Sequence, residues 1–161
     1  PVQLCDLASF VAIYALLTHR PWAAALTYFW GISLTTQAAL TPDLAADFPH
    51  PIYLLFWLMH IGTVLAAVHL VWVRGVHPTW RTYGISVAVT ACWAAALMAL
   101  NVALDTNYGY LNRKPAAATV LDLLGPWPWY VATEVVIIAT VWALMTWPWV
   151  RRSSTPGSLG G

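Results

Sequence analysis

The feature that most limits what this chain can fold into is its succession of long apolar runs. Four of them, Trp22–Leu40, Ile52–Val73, Tyr83–Leu104 and Trp129–Val150, approach the span of about 20 residues that crosses a hydrocarbon core. A fifth, Leu4–Thr18, is shorter and lies at the start. Lipid offers no hydrogen bonds to a backbone, so runs of this kind are helices. Composition closes the soluble alternative: 60% of the 161 residues are hydrophobic, 8% are charged, and the mean hydropathy is +0.67. A soluble domain carries roughly 25% charged residues. The expected fold is an all-α polytopic membrane helix bundle of five transmembrane helices over residues 1–150. The Ser- and Gly-rich stretch 151–161, RRSSTPGSLGG, is expected to be a disordered tail. No lead-in precedes the first run, which predicts a chain lacking upstream helices.

Seven of the eleven tryptophans, Trp22, Trp72, Trp80, Trp127, Trp129, Trp147 and Trp149, fall near the ends of these runs. There an indole keeps its ring in lipid and its N–H among headgroups. Orientation follows from the cations. Arg20, Arg74, Arg81, Arg151 and Arg152 fall on one side, and only Arg113 and Lys114 on the other. The first side is therefore expected to be cytoplasmic. This puts the C-terminus inside a cell membrane and the loops TPDLAADFPHP (41–51) and NYGYLNRKP (107–115) outside. The net charge of +1 says little about partners, and nothing points to nucleic acid. Cys5 and Cys92 lie in different runs, which argues against a disulfide framework.

Ionisable and amide groups inside apolar runs are costly and mark sites to inspect. At a rise of about 1.5 Å per residue, their depth can be read from the outer end of each run. Cys5 and Asp6 lie in the first turns of their run. Gln37 and Asn101 lie about one turn in, Glu134 between one and two, and His60 about two. All are at similar depth on one side. Each also has a plainer reading. Gln37 and Asn101 can join helices by hydrogen bonds, Asp6 can cap a helix, and Cys5 can be a small buried hydrophobe. His69 follows His60 by nine residues and so faces the other way, which excludes one haem or metal site shared by the pair. Cys92 has no polar neighbour in sequence and reads as packing.

The outer group suits one chemistry. A thiol becomes a nucleophile once a base takes its proton. His60 can be that base for Cys5, with Glu134 or Asp6 orienting the imidazole. Gln37 or Asn101 can donate to a developing oxyanion. A site just below the headgroups is where phospholipids carry their acyl esters. In the loop, Asn107, Tyr108 and Tyr110 can shape an entrance, and Arg113 with Lys114 can hold a phosphate. AAATVLDLL (116–124) is mildly amphipathic and reads as a short interfacial helix. GPWPWY (125–130) stiffens the entry to the last run. The sequence calls for no cofactor or metal, and it holds no Walker loop or dinucleotide fingerprint.

QLCDLA (3–8), YFWG (28–31), LTPDL (40–44), FPHP (48–51), FWLMH (56–60), TNYGYLNRKP (106–115) and GPWPWY (125–130) together resemble the YwaF-like bacterial integral membrane proteins. The resemblance covers nearly the whole chain except the tail. That family usually has further helices before the first one here. It is more distantly similar to a eukaryotic transmembrane cysteine acyltransferase of ether phospholipids. That relative has a Cys at a helix start, a His after an aromatic stretch, and a GPWY near the last helix. Cys5, His60, and Gly125-Pro126 with Trp129-Tyr130 match these features. Asp6 departs, since the relative has His there, as do the extra residues within GPWPWY. The resemblance implies a Cys5 nucleophile and a His60 base without fixing a substrate. Two readings stand. One is a lipid acyltransferase or acyl hydrolase working near the outer leaflet through a cysteine thioester. The alternative is a non-enzymatic lipid- or small-molecule-binding protein or an assembly subunit. The expected partners are membrane lipids, with a second copy or upstream helices.

Overall fold

The computed structural model describes residues 3–40, 42, 44, 46–114 and 120–153. Helix α1 is Leu4–Thr18, and α2 is Pro21–Phe29, which passes through a π-helical segment, Trp30–Thr35, into α3, Thr36–Leu40. Helix α4 is Pro51–Val68, continued by a second π-helical segment, His69–Val73; α5 is Trp80–Leu104 and α6 is Trp129–Ser153. Two 3-10 turns, Tyr108–Tyr110 and Val120–Leu124, lie between α5 and α6. The amphipathic stretch is thus a 3-10 turn over its last five residues, and 115–119 fall outside the described residues. Helix α6 runs past the expected boundary at Val150 and takes in Arg151 and Arg152. The rest of the expected tail, 154–161, also lies outside the described residues.

Among the described residues, three helices are long and apolar enough to cross a membrane: Pro51–Val73, Trp80–Leu104 and Trp129–Arg152. The chain is a multi-pass membrane protein. The two other expected spans form helices of a different kind. Helix α1 has 15 residues, which at about 1.5 Å each falls short of a roughly 30 Å hydrocarbon core. The run Pro21–Leu40 is long enough, but it is the centre of the bundle. Every residue from Ala23 to Gly31 is buried. A helix wrapped by protein need not be lipophilic all round, so it can carry Thr27, Ser33, Thr35 and Thr36.

Local sequence explains these elements. Pro21 and Pro51 sit in the first turns of α2 and α4, where a missing N–H costs nothing. Thr79 and Thr82 form a reciprocal capping box at the start of α5. Asp105 ends α5 in the left-handed region, φ 49°. In the first π-helical segment, the Ser33 hydroxyl donates to Phe29 O, and Thr36 Oγ1 donates to Gly31 O at 2.9 Å.

Packing radiates from α2. Ala8, Ala12 and Ala15 are the buried residues of α1, a small-residue stripe that lets it approach α2 closely. On the other side Phe29 stacks on Trp142 of α6 at 5.1 Å and meets Tyr83 of α5 edge-on at 6.3 Å. The indole N–H groups at this level are satisfied across helices. Trp30 donates to Thr90 Oγ1 at 2.9 Å, and Trp142 donates to Ser33 Oγ at 3.0 Å. Helices α1 and α4 pack together on one flank of α2, and α5 with α6 on the other.

Candidate functional site

The two flanks divide the polar residues into two groups. On the first, α1 and α4 run the same way, each antiparallel to the central helix between them in sequence. Their contact is polar: Ser9 Oγ lies 3.2 Å from Thr63 Oγ1. Each hydroxyl can also donate to its own helix, Ser9 to Cys5 O at 3.0 Å and Thr63 to Met59 O at 2.8 Å. One proton per hydroxyl means these bonds trade with the interhelical one. Cys5 stands four residues before Ser9 and His60 three before Thr63, so both lie about one turn from this contact, towards the same end.

His60 is 5% exposed. Its ring stacks on Phe56 with centroids 3.9 Å apart, and Nδ1 lies 2.7 Å from Phe56 O. A carbonyl only accepts, so Nδ1 carries the proton of the neutral ring and Nε2 keeps the lone pair. Cys5 is a free, half-buried thiol. No hydrogen bond joins its sulfur to the His60 ring. Asp6, in the first turn of α1, is half-buried, and its backbone N–H donates to Gln3 O at 3.1 Å. Gln37 is exposed on α3. Among the described residues, no group of three or more His, Cys, Asp or Glu side chains is placed to hold a metal ion.

Trp57, on the turn of α4 before His60, was not among the sequence-derived candidates. Its Nε1 is buried and has no hydrogen-bond partner. A buried donor left unpaired is costly, and native structures keep few of them. The FWLMH motif contains this residue, but sequence cannot say that its indole N–H is buried without a partner.

On the second flank, Asn101 is 2% exposed and organises the loop after α5. Its Nδ2 donates to Tyr108 O at 3.0 Å and Asn112 Oδ1 at 2.8 Å. Its Oδ1 accepts from Thr106 Oγ1 at 3.0 Å and Tyr108 N at 2.8 Å. Both of its donors are thus spent within the loop, and none is left for an oxyanion. Asn107 closes the next turn, donating to Arg113 O at 2.7 Å and accepting from Arg113 N at 3.1 Å. Gly109 sits at φ +68°, against the side chains of Trp93, Leu97 and Leu111, and in that left-handed backbone region a larger residue would be strained. The Tyr130 hydroxyl of α6 donates to Tyr110 O, and Trp127 Nε1 donates to Leu111 O at 3.2 Å.

The chain belongs to the TMEM164 family. Its family model matches residues 1–146, which takes in both flanks and the loop that joins them. No curated protein and no solved structure matches the chain.

In this TMEM164-family chain the two loop cations differ. Lys114 Nζ reaches Asp122 Oδ1 at 3.3 Å and lies 5.7 Å from the Tyr130 ring centroid. Arg113 has a 3.8 Å contact with Asp105, whose side chain is 97% exposed, and its own side chain is 62% exposed. An exposed pair at that distance is worth little, so the Arg113 guanidinium can take another anion. Glu134 is half-buried on α6 and makes no hydrogen bond or ion pair with His60 or Cys5. The single outer constellation expected from depth is therefore two groups on opposite flanks of the central helix. Cys5, Asp6 and His60, carried by α1 and α4, make up one, and Gln37 is exposed on α3. Asn101, Asn107, Tyr108, Tyr110, Arg113, Lys114 and Glu134 form the other. Depth along a helix is readable from sequence; the face of the bundle is not.

Proposed function

We propose that this protein binds a phospholipid at the end of the bundle that carries the Asn101–Tyr130 loop, in the outer leaflet. Arg113 holds the headgroup phosphate. The observation that carries this reading is the loop itself. Two hydrogen bonds donated and two accepted by Asn101, with the closing bonds of Asn107, fix its shape, leaving Arg113 outward beside a weak, exposed partner. Such a site pays little ordering cost when an anion arrives. Apolar faces of α5 and α6 adjoin the loop and suit acyl chains: Val102, Leu104, Val135 and Val136 are exposed. In a titration of detergent-solubilised protein with a short-chain phosphatidylcholine, Arg113→Gln is expected to weaken binding about tenfold, the size of one charged hydrogen bond. Unchanged binding in this variant removes the reading.

A second reading, acyl transfer through Cys5, is favoured by the His60 tautomer and by the Ser9–Thr63 register. In it, His60 Nε2 takes the Cys5 thiol proton as sulfur attacks an ester carbonyl. The acyl–sulfur bond forms, the lysophospholipid alkoxide leaves with that proton, and Trp57 Nε1–H donates to the carbonyl oxygen. Distant similarity to a eukaryotic cysteine acyltransferase supports the same roles. Intact-mass spectrometry after incubation with mixed phospholipids tests it. An acyl-sized adduct that hydroxylamine removes and Cys5→Ala lacks is expected. Its absence leaves the binding reading alone.

A further inference from the structure

At the opposite end of the bundle, Trp149 is fixed from three sides. Its Nε1 donates to the Tyr28 hydroxyl at 3.4 Å. Trp72 meets it edge-on, with centroids 5.4 Å apart. His77, from the α4–α5 connection, lies flat on it at 4.5 Å and 15°. The Arg152 guanidinium stands 5.5 Å from the Trp149 ring centroid. These four side chains, Trp72, His77, Trp149 and Arg152, line a cleft of about 420 Å³. A second groove of about 410 Å³ runs along α6 past Leu144, Trp147, Pro148 and Arg151, and Arg152 borders both.

A cation held over an indole keeps its in-plane N–H groups available, and a guanidinium matches phosphate in two-point fashion. Among the described residues, no carboxylate pairs with Arg152. The cleft and the groove meet at Arg152, so an anionic headgroup held there would have an apolar path beside it along α6. Both lie at the end of α6, a membrane-length helix, where headgroups meet protein.

We propose that this cleft binds the phosphate of an anionic phospholipid, with Arg152 and His77 at the headgroup and an acyl chain along Leu144 to Pro148. The site lies at the other membrane face from the Arg113 loop and does not depend on either reading of that end.

The test uses the full chain in nanodiscs containing a minority of phosphatidylglycerol in phosphatidylcholine, followed by native mass spectrometry of the lipids that stay bound. The wild-type protein is expected to retain phosphatidylglycerol in excess. Arg152→Gln is expected to retain about tenfold less. Trp149→Leu, which keeps every cation but removes the platform, should fall in the same direction. Arg20→Gln is the control: Arg20 caps the start of α2, at the same end, and lines neither the cleft nor the groove. It should retain wild-type levels. Equal loss in Arg20→Gln would mean that net charge alone attracts the lipid, and would overturn the site. So would no loss in Arg152→Gln. Displacement of the lipid by inorganic phosphate would make the ligand a soluble anion and overturn the lipid assignment.

Discussion

Gly31 is where a single atom decides how closely two helices meet. A Cβ there would lie 3.2 Å from Thr63 O and 3.2 Å from the Ala67 Cβ, and the carbonyl belongs to a helix that cannot move alone. Gly31→Ala is expected to destabilise the protein by about 1–3 kcal/mol, the usual cost of overpacking, measured by thermal unfolding in detergent. Asn101 acts at the same scale on the other flank. Removing its side chain leaves the Tyr108 N–H and Asn112 Oδ1 without their partners. Asn101→Ala is expected to cost about 1–3 kcal/mol of loop stability and to open 105–114 to limited proteolysis. Unchanged cleavage would show that Asn101 does not organise the loop. The sequence marks Asn101, His60 and Glu134 as polar groups in apolar runs, and they are inside helices as read. It cannot show that Asn101 is saturated, because its partners Thr106, Tyr108 and Asn112 read as ordinary loop residues. Nor does it single out Ser9 and Thr63. Their signal was only their spacing, four after Cys5 and three after His60.

The α1–α4 pair is the element on which the Cys5–His60 reading stands. If the Ser9–Thr63 contact sets its register, Ser9→Ala and Thr63→Val should be non-additive in unfolding free energy. The expected coupling is about 0.6 kcal/mol, the mean for hydrogen bonds between membrane helices. A coupling of zero would leave the register to the alanine stripe of α1. Element boundaries were largely legible in the sequence, since apolar runs and Trp-rich ends bracket each helix. The π-helical segments Trp30–Thr35 and His69–Val73 were not. In the first of them a side-chain hydroxyl, Thr36 Oγ1, competes for the Gly31 carbonyl, and periodicity carries no trace of that. The number of spans also changes at this scale. Apolar content counts Trp22–Leu40 as a span, while the fold buries its Ala23–Gly31 stretch among other helices.

For the whole molecule, the alternation of helix directions puts the Asn101–Tyr130 loop at one membrane face and the α4–α5 connection at the other. Single cysteines introduced as Asp105→Cys and Arg74→Cys, in a background without Cys5 and Cys92, should be labelled from opposite sides of sealed vesicles. The bias of Arg and Lys predicts Asp105→Cys outside and Arg74→Cys inside. Labelling of both from one side would contradict the arrangement of α5. Composition alone fixed the membrane and the helical class. The division of polar groups between two flanks needed the tertiary packing around α2. The most direct test of phospholipid binding at the loop end is photo-crosslinking with a phospholipid carrying a photoreactive group beside its phosphate, mapped by peptide mass spectrometry. The account predicts crosslinks concentrated in Tyr108–Lys114 and lost in Arg113→Gln; crosslinks spread along the exposed faces of α5 and α6, unchanged by that substitution, would contradict it.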